Sequence, residues 1–178
     1  MRKLAVIFPG AEYGVDSPLL YYADFLFEAN GYERIRMDYS NILCNKDFSL
    51  ENKINVLREY VWSQIEDVDF SQYDEVVFLS KSIGSVEAGL LADRLKNSIK
   101  QIFLTPVEEA AEYLKENSVI VIGTNDNAYP FYKELCERKN VEALYIETAD
   151  HLLEIQNRPF DSIRVLENVL KFIVKGKK

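Results

Sequence analysis

Residues 75–86, Glu75-Val76-Val77-Phe78-Leu79-Ser80-Lys81-Ser82-Ile83-Gly84-Ser85-Val86, pass from an apolar, β-branched run through small polar residues into a helical pattern that continues through Leu90, Leu91 and Leu95. The run predicts a buried strand over Glu75 to Leu79 and the spacing beyond it predicts a helix. Only a tight turn fits between them. Ser80 and Gly84, placed symmetrically about Ser82, are small enough for strand and helix to approach closely at that turn.

Outward from this stretch, short apolar runs recur at Leu4 to Phe8, Ile35 to Met37, Gln101 to Leu104, Val119 to Ile122 and Leu144 to Ile146. Their length and branched residues predict strands. Leu50, Ile54, Leu57, Val61, Ile65 and Val68 recur at helical spacing, as do Phe160, Ile163, Leu166, Leu170 and Ile173, and each set predicts one apolar helix face directed at a core. Ser17-Pro18 reads as an N-cap followed by a first-turn proline, and Thr105-Pro106-Val107-Glu108 as a capping box opening a helix that ends near Asn117. The order βαβαβαβαβαβα predicts a mostly parallel sheet with helices on both faces, because right-handed crossovers bring successive strands parallel.

Composition narrows the class. A chain of 178 residues, 48% hydrophobic, fits one domain spanning residues 1–178 with a sizeable core. A charged fraction of 28% without long Pro, Gly or Ser tracts argues against disorder. A net charge of −8 argues against a nucleic-acid partner; the cations Lys171, Lys175, Lys177 and Lys178 close the last helix, where they complement its dipole. The apolar run that ends before Pro9-Gly10 is too short for a secretory signal, and no run reaches the roughly 18 apolar residues of a membrane span. Two isolated cysteines, Cys44 and Cys136, suggest neither a disulfide framework nor a metal site. A cytoplasmic protein with a small-molecule partner, no cofactor and no metal is expected.

In a parallel sheet of this kind, ligands and chemistry gather beyond the carboxyl ends of the strands. Four such loops stand out: Pro9-Gly10-Ala11-Glu12-Tyr13-Gly14, Ser80-Lys81-Ser82-Ile83-Gly84-Ser85, Gly123-Thr124-Asn125-Asp126-Asn127 and Glu147-Thr148-Ala149-Asp150-His151. They hold Ser82, Asp126 and the chain's single histidine, His151. A serine hydroxyl becomes a useful nucleophile when a base takes its proton; histidine suits that work near neutrality, and a carboxylate on a neighbouring strand end can fix its tautomer. Each residue also has a plain structural role open to it. Ser82 could cap a helix, His151 could be a surface or capping residue, and Asp126 could form an Asx-turn ahead of the helix through Tyr129 to Leu135. Glu108, after the preceding strand, and Asp150 are the other carboxylates that compete for that role. A capping box accounts for the first, and the second adjoins His151 in the chain.

Ser80-Lys81-Ser82-Ile83-Gly84 resembles the G-x-S-x-G turn of the α/β-hydrolases, with Ser80 in place of the first glycine, and the order Ser, Asp, His along the chain is similar to theirs. The resemblance covers nearly the whole sequence. It implies a three-layer sandwich on a six-stranded sheet of order 2-1-3-4-5-6, in a minimal form without the lid that many members insert after the strand corresponding to Gln101 to Leu104. It also implies hydrolysis of a small carboxylic ester or thioester through an acyl-Ser82 intermediate, with His151 as base and Asp126 as orienting acid. Some members carry that acid after the preceding strand, where this chain has Glu108. The oxyanion would be held by the backbone N–H of Ile83 and by one in the first loop, Ala11 or else Glu12, with Pro9 standing where the family carries a histidine and Gly10 and Gly14 easing the turn. Without a lid, Tyr13, Val107, Leu152, Tyr129 and Phe160 are the loop residues placed to contact an acyl or alkyl group.

Two readings of other classes stand beside this one. A hydrolase-like scaffold serving only to bind would hold Ser82 and His151 out of hydrogen-bonding reach of each other. A flavodoxin-like carrier of flavin or nucleotide shares the strand order, but Pro9-Gly10-Ala11-Glu12 lacks a phosphate cradle and sets a carboxylate there instead.

Overall fold

In β1 (Lys3–Phe8) alternate side chains leave the strand on opposite sides, sending Leu4, Val6 and Phe8 into one buried layer and Ala5 and Ile7 into another. The computed structural model that shows this describes residues 1–39, 41–42, 49–95 and 98–175. The chain continues through α1 (Pro18–Ala29), β2 (Tyr32–Arg36), α2 (Leu50–Ile65), β3 (Glu75–Lys81), α3 (Gly84–Arg94), β4 (Ile99–Leu104), β5 (Val119–Gly123), α4 (Tyr129–Lys139), β6 (Glu142–Ile146) and α5 (Pro159–Lys175). All pairings in the sheet are parallel, and the strands lie in the order β2-β1-β3-β4-β5-β6. Because β1 sits between β2 and β3, strand order reverses beside it, and the loops after β1 and β3 become neighbours.

Two layers of helices complete the sandwich. On one face Ile54, Leu57, Val61 and Ile65 of α2 and Val86, Ala88, Leu91 and Ala92 of α3 pack on Leu4, Val6, Phe8, Val76 and Phe78, and α4 extends that layer over Phe103, Ile120 and Ile122. On the other face α1 and α5 bury Leu19, Leu20, Ala23, Phe27, Val165, Val169 and Ile173 against Ala5, Ile7, Val77, Leu79 and Val121.

The structure corrects the sequence reading in several places, and β4 and β6 each begin two residues earlier than the apolar runs suggest. Strand β2 covers Tyr32–Arg36, not Ile35 to Met37. It is an edge strand whose polar residues are partnered across its neighbours: Arg34 pairs with Asp24 at 3.2 Å, and the Tyr32 hydroxyl donates to Glu75 at 2.6 Å. Its Tyr-Glu-Arg-Ile-Arg sequence therefore lacks an apolar run. Between β4 and β5 the chain forms a 3-10 turn, Glu108–Tyr113, not an α-helix running to Asn117. On α5 Val165, Val169 and Ile173 are buried and Leu166 and Leu170 pack partly buried against the same core, while Phe160 and Ile163 are 77% and 60% exposed, so only the C-terminal part of the expected row meets the core. Strand β3 runs on to Lys81, paired with Leu104. Cys136 is buried; Cys44, Lys177 and Lys178 lie outside the described residues.

Candidate active site

Where β3 ends, Ser82 turns the chain with a φ of 52°, a left-handed conformation costly for a residue with a β-carbon. Neighbouring contacts hold it there. The Ser82 N–H donates to Leu104 O at 3.1 Å, and Ser82 O accepts from Ser85 N at 3.0 Å and Ser85 Oγ at 2.5 Å. Ile83, not Ser82, occupies the capping position of α3, and no side chain caps it. The Ser82 hydroxyl is thus free of the helix. At Gly84 a β-carbon would lie 2.4 Å from Pro9 O and 2.6 Å from Phe8 O, so glycine lets the start of α3 rest on the end of β1. Ser80 is buried and donates from Oγ to Ile102 O at 3.3 Å.

The same device brings the histidine loop to the end of β5. A β-carbon on Gly123 would lie 2.1 Å from Ala149 O, and across that contact Asn125 N donates to Ala149 O and Thr124 N to Ile146 O, each at 2.9 Å. Asp126, 5% exposed, uses its two oxygens separately. Oδ1 accepts from Ala128 N at 2.9 Å, the Asx-turn anticipated from sequence, and Oδ2 lies 2.7 Å from His151 Nδ1. His151 Nε2 in turn lies 2.9 Å from Ser82 Oγ. With Nδ1–H donating to the carboxylate, Nε2 is left to accept the serine proton. Glu108 is exposed on the 3-10 turn, and Asp150 Oδ1 accepts from Leu152 N and Glu154 N at 2.8 and 3.1 Å, shaping the loop. Neither carboxylate meets the imidazole.

Burial alone would raise the Asp126 carboxyl, but the hydrogen bonds from His151 and Ala128 N, with the charges of His151 and Lys81, hold it below the ordinary carboxylate range. It is ionised wherever the histidine needs an anionic partner.

The first loop lies against the serine. A β-carbon on Gly10 would sit 3.2 Å from Ser82 Cβ, whereas one on Gly14 would meet nothing within 4 Å, so of the two loop glycines only Gly10 is required by close approach. Among the described residues, the backbone N–H groups of Ala11, Glu12 and Ile83 have no acceptor. Tyr13 and Leu152 line a groove of about 500 Å³ between α1, α5 and the histidine loop, together with Leu19, Ile155, Ile163 and Leu166. Val107 is not with them. It lines a second cleft of about 510 Å³ that holds Asp126, His151, Glu108 and Glu109. Tyr129 instead stacks edge-on with Tyr145 at 5.4 Å, and Phe160 projects into solvent.

Two residues take unanticipated places. Thr105 does not cap a helix: with a φ of 40° it turns the chain just after β4, and its hydroxyl donates to His151 O at 3.0 Å. Lys81, fully buried, donates from Nζ to Thr105 Oγ1 at 2.5 Å and to His151 O at 2.7 Å. The sequence places Lys81 in the turn after the strand and carries no signal for this arrangement; it becomes visible only once β3 extends to Lys81 beside Leu104.

A six-stranded parallel sheet of this order, helices on both faces and a strained serine turn after β3 define the α/β-hydrolase fold. Solved structures bear this out at low identity. Est1E from Butyrivibrio proteoclasticus superposes with a TM-score of 0.62 at 14% identity, over 97% of this chain and 89% of that one. Dienelactone hydrolase from Anabaena variabilis gives 0.68 at 12% identity over 99% and 88%, and mouse alpha/beta hydrolase domain-containing protein 10 gives 0.63 at 13% over 97% and 90%. No family model and no curated protein matches the sequence. Among the described residues no group of three or more His, Cys, Asp or Glu side chains could hold a metal ion, and no helix is long and apolar enough to cross a membrane.

Proposed function

We propose that this chain is a serine hydrolase acting on a small carboxylic ester or thioester, with Ser82 as nucleophile, His151 as general base and Asp126 as the acid that orients it. The observation that carries the reading is the continuous hydrogen-bonded line from Asp126 Oδ2 to His151 Nδ1, 2.7 Å, and from His151 Nε2 to Ser82 Oγ, 2.9 Å, at a strained strand-to-helix turn. Those distances suit proton transfer as the hydroxyl attacks an acyl carbon. A scaffold kept only for binding has no need of them.

Attack by Ser82 Oγ forms a C–O bond while its proton passes to His151 Nε2. The tetrahedral oxyanion falls to the N–H groups of Ile83 and Ala11, and collapse expels the alcohol or thiol, which takes the proton from the imidazolium. Water, deprotonated by His151 in the second half, releases the acid and restores Ser82. The groove holding Tyr13 and Leu152 suits the apolar part of the acyl group, and the cleft at Val107 suits the leaving group. That similar folds include a protein named as a dienelactone hydrolase is consistent with this chemistry. Hydrolysis of p-nitrophenyl acetate by wild type, Ser82→Ala and Asp126→Asn tests the reading. The alanine variant is expected to lose measurable turnover and the asparagine variant about 1,000- to 10,000-fold in kcat. A Ser82→Ala protein as active as wild type would overturn it.

A further inference from the structure

We infer that Lys81 is a positioning residue for His151: its buried ammonium ties together the loops that carry the reacting groups and fixes the histidine main chain where Nε2 meets Ser82. The inference rests on the Ser82, His151 and Asp126 reading above.

Burying a charge without partners is costly, so the groups around a buried ammonium are those the fold has arranged for it. Around Lys81 Nζ the groups come from four segments. Thr105 Oγ1, just after β4, accepts at 2.5 Å. His151 O, in the loop after β6, accepts at 2.7 Å. The face of the Tyr13 ring, in the loop after β1, lies 5.2 Å from Nζ, within cation–π range. The carboxylates of Asp126 and Asp150 act on it through charge. One cation therefore spans four loops at the top of the sheet, and its own backbone adjoins Ser82.

The carbonyl it grips belongs to the histidine itself. With Thr105 Oγ1 also donating to His151 O at 3.0 Å, that single oxygen receives two hydrogen bonds. Thr105 reaches it from a left-handed backbone, φ 40°, rare and strained for a β-branched residue. Strain kept at a residue whose hydroxyl joins the lysine to the histidine carbonyl has a use: it sets the height and tilt of the imidazole. Among the described residues Nζ makes no hydrogen bond to Ser82, so Lys81 is not an alternative base. Burial also pushes the lysine down to about 8, partly offset by Asp126 and Asp150. It is a poor choice for stability alone and remains largely cationic at neutral pH.

The test compares Lys81→Met, which keeps the bulk of the side chain, with Thr105→Val, Thr105→Ser and the double variant Lys81→Met/Thr105→Val. Two readouts are taken: p-nitrophenyl acetate kinetics and the downfield imidazole N–H proton resonance, which is unambiguous because the chain has one histidine. Lys81→Met is expected to lower kcat by about 10- to 100-fold, the scale of a small misplacement of reacting groups, with KM within about twofold, and to broaden or shift the resonance. Thr105→Val should do the same, Thr105→Ser should stay near wild type, and the double variant should be no worse than the weaker single, since both act through one oxygen. A Lys81→Met protein with unchanged kcat and an unmoved resonance overturns the inference, as do losses that multiply in the double variant. If Lys81→Met does not fold, the contrast between Thr105→Val and Thr105→Ser decides: equal losses contradict positioning through the hydroxyl. Ser82→Ala in the same assay separates the two claims. Full activity there removes the triad reading, whereas an inactive Ser82→Ala beside a normal Lys81→Met removes only the role given to the lysine.

Discussion

Gly123 lies directly against the main chain of Ala149, so closely that a β-carbon on the glycine would stand 2.1 Å from the alanine carbonyl oxygen and 2.5 Å from its carbon. Backbone cannot yield as a flexible side chain can. Gly123→Ala is therefore expected to push the histidine loop off β5 and separate His151 from Asp126. The loss should be about 100-fold or more in kcat/KM, with destabilisation of about 1 to 3 kcal/mol, read from ester kinetics and a denaturant midpoint. Wild-type kinetics in the variant would mean that this contact does not set the loop.

Gly84 and Gly14 offer a paired comparison. A β-carbon on Gly84 meets the Pro9 and Phe8 carbonyl oxygens at 2.4 and 2.6 Å, whereas one on Gly14 meets nothing within 4 Å. Gly84→Ala should lower stability by about 1 to 3 kcal/mol and displace the first-loop amides from Ser82, cutting kcat more than it raises KM. Gly14→Ala should leave both stability and kcat close to wild type. Equal behaviour of the two variants would contradict the packing described for the turn.

The alternation of strands and helices was legible because both sheet faces are covered, so the central strands read as unbroken apolar runs. With the strand ends fixed, Ser82, Asp126 and His151 fell at neighbouring positions by topology alone. What escaped the sequence did so for physical reasons. Strand β2 lies at an edge and satisfies its polar side chains through ion pairs such as Arg34 with Asp24, so it carries no apolar signature. Thr105-Pro106-Val107-Glu108 has the pattern of a capping box, but the Thr105 hydroxyl is taken by Lys81 and His151 O. On α5 Val165 and Val169 share the core with Leu166, Leu170 and Ile173, and sequence periodicity cannot say that Phe160 and Ile163, in the same row, stay exposed. Lys81 stands in the sequence only as part of the serine turn, and the register of β3 with β4 shows it sealed at the end of the sheet.

Glu87, on α3 directly after the serine turn, is 2% exposed and its Oε1 lacks a hydrogen-bond partner. Burial raises its carboxyl from 4.5 to about 7, against the opposing pull of Arg58 and Arg94. The native state therefore holds this proton over a pH range where the unfolded chain has lost it, and stability should fall as pH rises from about 4.5 to about 7. Glu87→Gln should remove that slope and be more stable than wild type at pH 8 by roughly 2 to 3 kcal/mol, with no advantage near pH 4.5. Urea unfolding across this range checks it; parallel pH profiles for the two proteins would contradict the buried acid.

Substrate preference should follow the groove lined by Tyr13, Leu152 and Ile163. If the acyl chain lies there, Leu152→Ser and Ile163→Ser should weaken kcat/KM for hexanoyl and octanoyl esters by about 3- to 10-fold each, on the scale of one or two buried methylenes, while acetyl ester hydrolysis stays near wild type. An equal loss on acetyl and octanoyl esters would place the acyl chain elsewhere.

The most direct measurement of the central claim is covalent capture of the nucleophile. Native protein is treated with a fluorophosphonate and digested, and the modified peptide is sequenced by mass spectrometry, with His151→Ala and urea-unfolded protein as controls. The expected result is one phosphonyl adduct on Ser82 in the native protein, strongly slowed in His151→Ala and absent after unfolding. A folded protein that leaves Ser82 unmodified, or that is labelled as fast without His151, would contradict it.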